Sequence, residues 1–559
     1  MYPFINNYSA FGSSVVVSVA TSVTTSSLTS SAGVFISKLI GMFYIIPFKQ
    51  IVGQANLSYY SAAYTYYNVL LQICSAGLPF AIAAIVAKYA NKNDYKTVVL
   101  VRKLSTAILM VSGFVISLLF ILISTPLAHS VLGSQATDTD IIRMRNTFVI
   151  LSLALFIIPV VYSYRGYYQG MKELKIYANT QITEQLARVL FLLGVGAIVV
   201  YIFHMDQILG IYAAVLGTSI GGIFALIQLM FFDRKHFPEI EQLAEKQQEE
   251  AVDKYEILKE FIIFSIPYLL VSILGNSQTL INTQFFIPAA TKLGMGYDEA
   301  KLIYSIIETN CDKLTSIPQV LSIGFSAGIV PYMTVSLENH DFKALNINIE
   351  DCLDTVLYIG LPVCFAMAAL AEPIYFIMYG GNELKYGVTC LQWSSLLGFC
   401  TTMTPICNSM MLTLRFRKQS IFYLACGFAI KCITFYPLMS IMGYTGAIVS
   451  SCLCSATIII ASLLKIRKEF SIKYRRIIKR MIRIMISCLA MNGVFALYNF
   501  FGPGWVAYGR IVCLLQLAVV GISGIVVYVL VSDMMKLPKA VFHISLKGMC
   551  NRLLRRGAR

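Results

Sequence analysis

The sequence predicts an all-α integral membrane protein with about 14 transmembrane helices, arranged as two pseudo-symmetric six-helix lobes followed by two C-terminal helices. Three observations predict this. Apolar residues make up 57% of the 559 residues, only 13% are charged, and the mean hydropathy is +0.71, so the chain carries more apolar surface than one water-facing core can bury and needs lipid as its solvent. The apolar residues gather in runs of about 20, the length that crosses a bilayer as a helix. Stretches from the first half also recur, in order, in the second half.

The runs place spans near 30–48, 57–87, 104–125, 146–164, 181–203, 208–232 and 260–285, then 302–334, 353–379, 387–413, 420–440, 443–464, 481–501 and 506–532. The second and eighth exceed one crossing, which predicts tilting, a kink near Pro79 and Pro318, or extension beyond the bilayer. The segment Ser13–Ser31 has no positive charge before its apolar part and reads as leading into the first span rather than as a cleavable signal. The resulting organisation is a polar N-terminal segment over 1–29, an N-lobe over 30–232 and a polar linker over 233–259 with at most a surface helix. A C-lobe over 260–464, the last two spans with a basic loop over 465–532, and a basic tail over 533–559 complete it.

Lys and Arg number 44 against 28 Asp and Glu, a net charge of +16. Most of the cations fall in the even-numbered connections: Lys88, Lys92 and Lys96, then Arg165, Lys172 and Lys175, then Arg415, Arg417 and Lys418, then the cluster from Lys465 to Arg480. By the positive-inside rule these connections are cytoplasmic, which puts both termini in the cytoplasm of a multi-pass cell-membrane protein. The charge is therefore a topological signal, and no nucleic-acid partner is expected. The tail from Lys536 to Arg559 is suited to lying on anionic membrane lipids.

The repeat pairs Pro159, Lys172 and Tyr177 with Pro405, Lys418 and Tyr423 at one interval. It pairs Gly77 and Asp94-Tyr95-Lys96 with Gly324 and Asp341-Phe342-Lys343 at almost the same interval, and the small residues near Gly210 with those near Gly443. Spans 2, 4 and 6 thus match spans 8, 10 and 12, as two lobes in parallel orientation require, and parallel repeats rock about a shared cavity in many transporters. No P-loop and no H-E-x-x-H motif occurs, and the fourteen cysteines form no C-x-x-C pair. These features point to a transporter, not an enzyme, without a metal or an organic cofactor, driven by the membrane potential or by a coupled Na⁺ or H⁺.

An ionisable group at mid-bilayer costs about 2.5–3.5 kcal/mol on insertion scales, so each one asks for a partner or a wet cavity. Lys38 in the first span, Lys313 in the eighth, Lys431 in the eleventh and Arg188 in the fifth are the candidates for binding an anionic substrate in a central cavity. Lys38 is also placed to snorkel, and Lys313 to pair with Asp312 or Glu308. Glu184 and Arg188, at i and i+4, face the same way and suit a mutual ion pair, and Glu184 is the best titratable coupling residue. Asn68 and Gln72 in span 2, and Asn276, Gln278 and Asn282 in span 7, supply amides that line a cavity or bond between helices. Arg165 with the Gly166 and Gly170 turn reads as phosphate capture or a hinge at the cytoplasmic mouth, with simple anchoring as the plainer alternative. Cations in excess of acids suit a phosphate or pyrophosphate, which brings the missing countercharge.

The segments ISKLIGMFYIIPF with Lys38, SAGLPFAIAAIVAKY from Ser75, YRGYYQGMKELK with Arg165, ITEQLARV with Glu184 and Arg188, and DKLTSIPQVLSIGFSAGIVP with Lys313, taken in order, are those of one family. The chain resembles the oligosaccharidyl-lipid and polysaccharide exporters of the MOP superfamily, of the lipid II flippase and stage V sporulation protein B type. The resemblance implies fourteen helices in two lobes and a central cationic cavity. It also implies alternating access that carries an undecaprenyl-pyrophosphate-linked saccharide, lipid II foremost, from the inner to the outer leaflet, with cell-wall synthesis proteins as partners. Other lipid-linked glycans (capsule or teichuronic), a multidrug cation antiporter of the same superfamily and a non-transporting wall-synthesis scaffold are the alternatives. Relatives often carry an acid in the seventh span where this chain has Asn276 or Asn282, and an arginine where Lys38 stands.

Overall fold

The computed structural model describes residues 40–542 apart from Met42, Ala76 and Lys473. Lys38, the segment 1–29 and the tail beyond 542 lie outside the described residues. Every regular element among the described residues is a helix, and ten of these helices are long and apolar enough to cross a membrane. The large apolar side chains turned outward are those of a lipid-facing surface: Val111, Phe114, Leu118 and Leu122 follow one face of a helix at i+3 and i+4 steps, and each is 49–67% exposed. The chain divides into two compact units.

Unit 1 takes in the described residues up to Gly53, then Ala63–Ala128 and Asp138–Leu270. Its helices are α1 (Ile45–Val52), most of α2 (Leu57–Ser75), α3 (Leu78–Ala90), α4 (Tyr95–Leu132), α5 (Asp138–Gly170), α6 (Leu174–Ala197), α7 (Ile208–Lys246) and the greater part of α8 (Lys254–Gly275). The long second run breaks at Gly77 (φ 69°), and Pro79 sits in the first turn of α3, where its missing N–H costs nothing. Leu78, Ile82, Val101, Tyr167, Leu229 and Phe261 from five helices share one buried cluster.

The polar linker is more ordered than its composition implies. α7 continues as helix to Lys246, so that 247–253 alone separate it from α8. The reason is amphipathicity: Phe237, Ile240 and Ala244 recur at helical spacing and turn inward, Phe237 into the core cluster. Arg102 pairs with Asp233, Lys103 with Glu241 at 3.2 Å, and Lys88 with Glu260. Gln247 then clamps the start of α4, donating to Asp94 Oδ1 at 2.9 Å and accepting from the Lys96 amide at 3.0 Å.

Unit 2 comprises Gln54–Ala62, His129–Thr137 and the chain from Val271. It holds the end of α8, α9 (Ser277–Lys292), α10 (Tyr297–Ser305), a π-helical turn (Ile306–Cys311), α11 (Asp312–Glu338), α12 (Phe342–Ala369), α13 (Ala371–Tyr379) and α14 (Leu384–Thr413). α15 (Arg417–Met442), α16 (Thr445–Phe470), α17 (Arg475–Phe501), α18 (Gly509–Met534) and α19 (Leu537–Phe542) complete it. Its core joins Val356, Met403, Met410, Cys488, Met491 and Tyr528 from α12, α14, α17 and α18. The irregularity of the eighth run falls in the π-helical turn and not at Pro318, which lies inside α11.

Local geometry supports the repeat at one pair and shifts another. Asn93 and His340 both adopt a left-handed conformation, and the next residues, Asp94 and Asp341, both accept from backbone amides of the following helix: Asp94 from Thr97 at 3.1 Å, Asp341 from Lys343 and Ala344 at 3.1 and 3.0 Å. In the other pairing the equivalent left-handed turn residues are Lys172 and Arg415, each two residues before its next helix. The alignment of Lys172 with Lys418 is therefore displaced by about one helical turn.

Candidate functional site

Two clusters of buried charge stand out, one in each unit. In unit 1, Arg165 on α5 is 4% exposed. Its Nη2 lies 2.8 Å from Glu184 Oε2 on α6 and its Nε donates to Thr180 Oγ1 at 3.1 Å. Glu184 is thus paired across two helices with Arg165. Arg188 places its guanidinium 4.7 Å from the centre of the Tyr64 ring, and the Tyr64 hydroxyl meets that of Thr218 on α7.

Arg165, Gly166 and Gly170 were expected to capture phosphate or form a hinge at the cytoplasmic mouth, or simply to anchor the chain there. Arg165 is enclosed, and both glycines lie within helical α5. A Cβ at Gly166 would come 2.8 Å from the Pro79 carbonyl oxygen, and one at Gly170 2.7 Å from that of Ala83. The pair is the groove that lets α3 approach α5, the small-xxx-small device of membrane helices. Asn68 is exposed and Gln72 half-buried on α2.

In unit 2, Lys431 on α15 is fully buried. Its ammonium donates to Asn282 Oδ1 on α9 at 2.7 Å, and to three oxygens of α16: the Ala447 carbonyl at 2.9 Å, Ser450 Oγ at 2.8 Å and Ser451 Oγ at 2.7 Å. The Phe435 ring centre lies 5.0 Å away. Asn282 Nδ2 in turn donates to Glu308 Oε1 at 2.7 Å, and Glu308 belongs to the π-helical turn. One amide therefore connects a cation to an anion: its oxygen faces the ammonium and its nitrogen the carboxylate, and the two charges together fix its orientation.

Lys431 was expected to line a cavity and meet substrate; the structure closes protein around it. Four oxygens from two neighbouring helices replace its water shell, which a buried ammonium requires if it is to stay charged. Of the other span 7 amides, Asn276, at the junction of α8 and α9, donates to the Ser272 carbonyl of α8 at 2.8 Å and Gln278 to Ser455 on α16 at 2.8 Å. Lys313 is half-buried in the first turn of α11, beside an exposed Asp312.

Several charges of the interior have no signal in the sequence. Lys301, 5% exposed on α10, donates to the Tyr59 hydroxyl at 2.9 Å and lies over the Tyr59 and Tyr297 rings. Asp354 on α12 is fully buried and pairs with Arg480 on α17. The tyrosine run that includes Tyr59 marks an aromatic-rich region, but nothing in spacing alone selects Lys301 as its partner. Among the described residues no group of three or more His, Cys, Asp or Glu is placed to hold a metal ion.

The two-unit, all-helical architecture has close counterparts among solved structures. The lipid II flippase MurJ in an inward closed conformation superposes with a TM-score of 0.66 at 14% identity, covering 91% of this chain and 98% of that one. An inward-facing multidrug resistance MATE transporter of the MOP superfamily gives 0.59 at 13%, covering 77% and 94%. The chain is thus a multi-pass membrane protein with the fold of the MOP superfamily. The polysaccharide biosynthesis protein family matches residues 23–346, more than half the chain, and the chain belongs to that family. Among curated proteins it is 24% identical to lipid II flippase MurJ of Bacillus subtilis (strain 168) over 464 residues, 82% of this chain and 85% of that one.

Proposed function

We propose that this protein is a flippase that moves an undecaprenyl-pyrophosphate-linked saccharide, with lipid II as the favoured cargo, from the inner to the outer leaflet by alternating access. The observation that carries the reading is the length of the match to a lipid II flippase: 82% of this chain aligns with 85% of that protein. The charge inventory agrees with an anionic headgroup. Arg188 and Lys313, both half-buried, are the described cations read as meeting a pyrophosphate, and Lys38 joins them on sequence grounds. Lys431 is reassigned to holding α9, α15 and α16 together. The polyprenyl tail stays in lipid, so only the headgroup crosses. The work comes from the membrane potential or a coupled Na⁺ or H⁺, wall-synthesis proteins are the expected partners, and both termini face the cytoplasm.

The test is headgroup translocation in proteoliposomes holding a fluorescent lipid II analogue. Reconstituted protein accelerates exposure of the headgroup to an outside quencher, and Arg188→Ala slows it by roughly tenfold or more, the loss of one charge-assisted phosphate contact. Protein that moves cationic dyes but not the lipid overturns the reading in favour of a cation exporter. Protein that moves neither overturns it in favour of a scaffold.

A further inference from the structure

The connection between α16 and α17 holds a groove of about 830 Å³ that no part of the transport reading uses. Four cations line it: Arg467 and Lys468 from the last turn of α16, and Arg475 and Lys479 from the start of α17. All four are exposed, and none forms an ion pair with a described residue. The nearby acid, Glu469, is held by Lys465. No acid is among the lining residues.

The helix start adds to the positive potential of the groove. The N-terminus of a helix carries partial positive charge from its unpaired amides and is usually balanced by an acidic residue or a capping side chain. α17 has neither: its first turn contains no acid, Tyr474 at the cap position offers no side-chain bond, and Arg475 and Arg476 open the helix. The Tyr474 hydroxyl is committed elsewhere, donating to the Leu463 carbonyl at 2.8 Å, which fixes this helix start against α16. Two features that favour an anion thus coincide, a cluster of cations and an uncapped helix N-terminus, on helices that the Tyr474 bond holds together.

The groove is also apolar along one side. Leu464 and Ile478 line it and are 55% and 50% exposed, and each leads into the membrane-spanning part of its helix. A water-soluble anion has no use for that side; a lipid does.

We propose that this groove binds the phosphate headgroup of a resident anionic phospholipid, with Arg467, Lys468, Arg475, Lys479 and the α17 N-terminus around the phosphate and the acyl chain along Leu464 and Ile478. None of its lining residues is among those assigned to the cargo headgroup, and the proposal does not depend on which cargo the protein carries. Basic pockets between membrane helices at the positively charged side are a recognised means of holding such lipids.

The full chain in a neutral detergent is titrated with short-chain phosphatidylglycerol, and binding is read by native mass spectrometry. The expected result is saturable binding that Arg475→Gln/Lys479→Gln weakens roughly 30-fold, the loss of two near-surface charges, while the charge-matched pair Arg417→Gln/Lys418→Gln, outside the groove, changes it little. If the first pair does not give folded protein, Arg467→Gln/Lys468→Gln at the end of α16 carries the same expectation. Equal losses from the groove pair and the control pair overturn the proposal, since diffuse positive charge then accounts for binding. Equal binding of short-chain phosphatidylcholine, or displacement by inorganic phosphate at the concentration at which phosphatidylglycerol binds, also overturns it. So does displacement by farnesyl pyrophosphate below that concentration, which would make the groove a site for the prenyl carrier.

Discussion

Replacing Lys431 with methionine keeps the length of the side chain and removes its charge, so the variant isolates what the ammonium does. Hydrogen bonds from the three N–H donors of the ammonium, shared among four oxygens, would, summed at about 1.5–3 kcal/mol each, give an unrealistically large loss. The structure argues for less. Ser450 and Ser451 already reach the Ala447 carbonyl at 2.8 and 3.2 Å, so both hydroxyls keep a partner when the ammonium goes. The damage concentrates on Asn282 Oδ1, left without a donor, and on Glu308, left as a buried charge with no cation behind its amide. That is the situation of a broken buried ion pair, which costs about 3–5 kcal/mol.

Glu308→Gln makes the complementary break and carries a similar loss. The double variant Lys431→Met/Glu308→Gln is neutral throughout and recovers part of it, so its loss falls about 2 kcal/mol short of the sum of the singles. Equilibrium unfolding of the purified protein in detergent measures all four states of the cycle. Single losses that add to within about 0.5 kcal/mol would refute the idea that Asn282 couples the two charges.

Three further perturbations follow from features of the fold. Gly170→Val drives a branched side chain into the Ala83 carbonyl and Val86, and costs about 1–3 kcal/mol in thermal unfolding; an unchanged melting temperature would mean that α3 and α5 are free to separate. Arg480→Ala leaves Asp354 buried without its cation and costs about 3–5 kcal/mol, whereas Arg480→Ala with Asp354→Asn loses clearly less. Asp94 predicts a pH dependence: partial burial by itself would raise its carboxyl, but the bonds from Thr97 and Gln247 outweigh that and hold it below the ordinary value. A depressed folded-state value means that its stabilisation is complete above the unfolded value of about 3.9 and is lost as the pH falls through the folded one. Asp94→Asn therefore flattens the acid limb of the stability curve below about pH 4 and leaves neutral pH little changed; an identical acid limb would show that the cap contributes nothing.

The parts of the fold set by composition were legible in advance. A run of about 20 apolar residues has few other fates, and each of the runs from the second onward contains a described helix. Asp94 and Asp341 repeat because a helix start after a left-handed turn needs an acceptor at that position, a local requirement that a sequence states openly. The charged clusters were less legible because their partners come from other helices. Spacing offered Arg188 to Glu184, but the carboxylate lies against Arg165 across α5 and α6. Lys431 was recognisable as a buried cation, whereas the serines that solvate it read only as small residues for close packing. The π-helical turn has no marker at all: Ile306–Cys311 reads as an ordinary helical string.

That wide turn has a consequence for how chains of this kind diverge. A π-turn holds one more residue than the α-turn it replaces, and each residue advances a helix by about 100°. Deleting a single codon between Ile306 and Cys311 would heal the turn and swing Glu308 to another face, abolishing its bond to Asn282 with no substitution at either position. Homologues one residue shorter here should lack the lysine as well, and a length difference of one residue is the genetic mark by which to look for them.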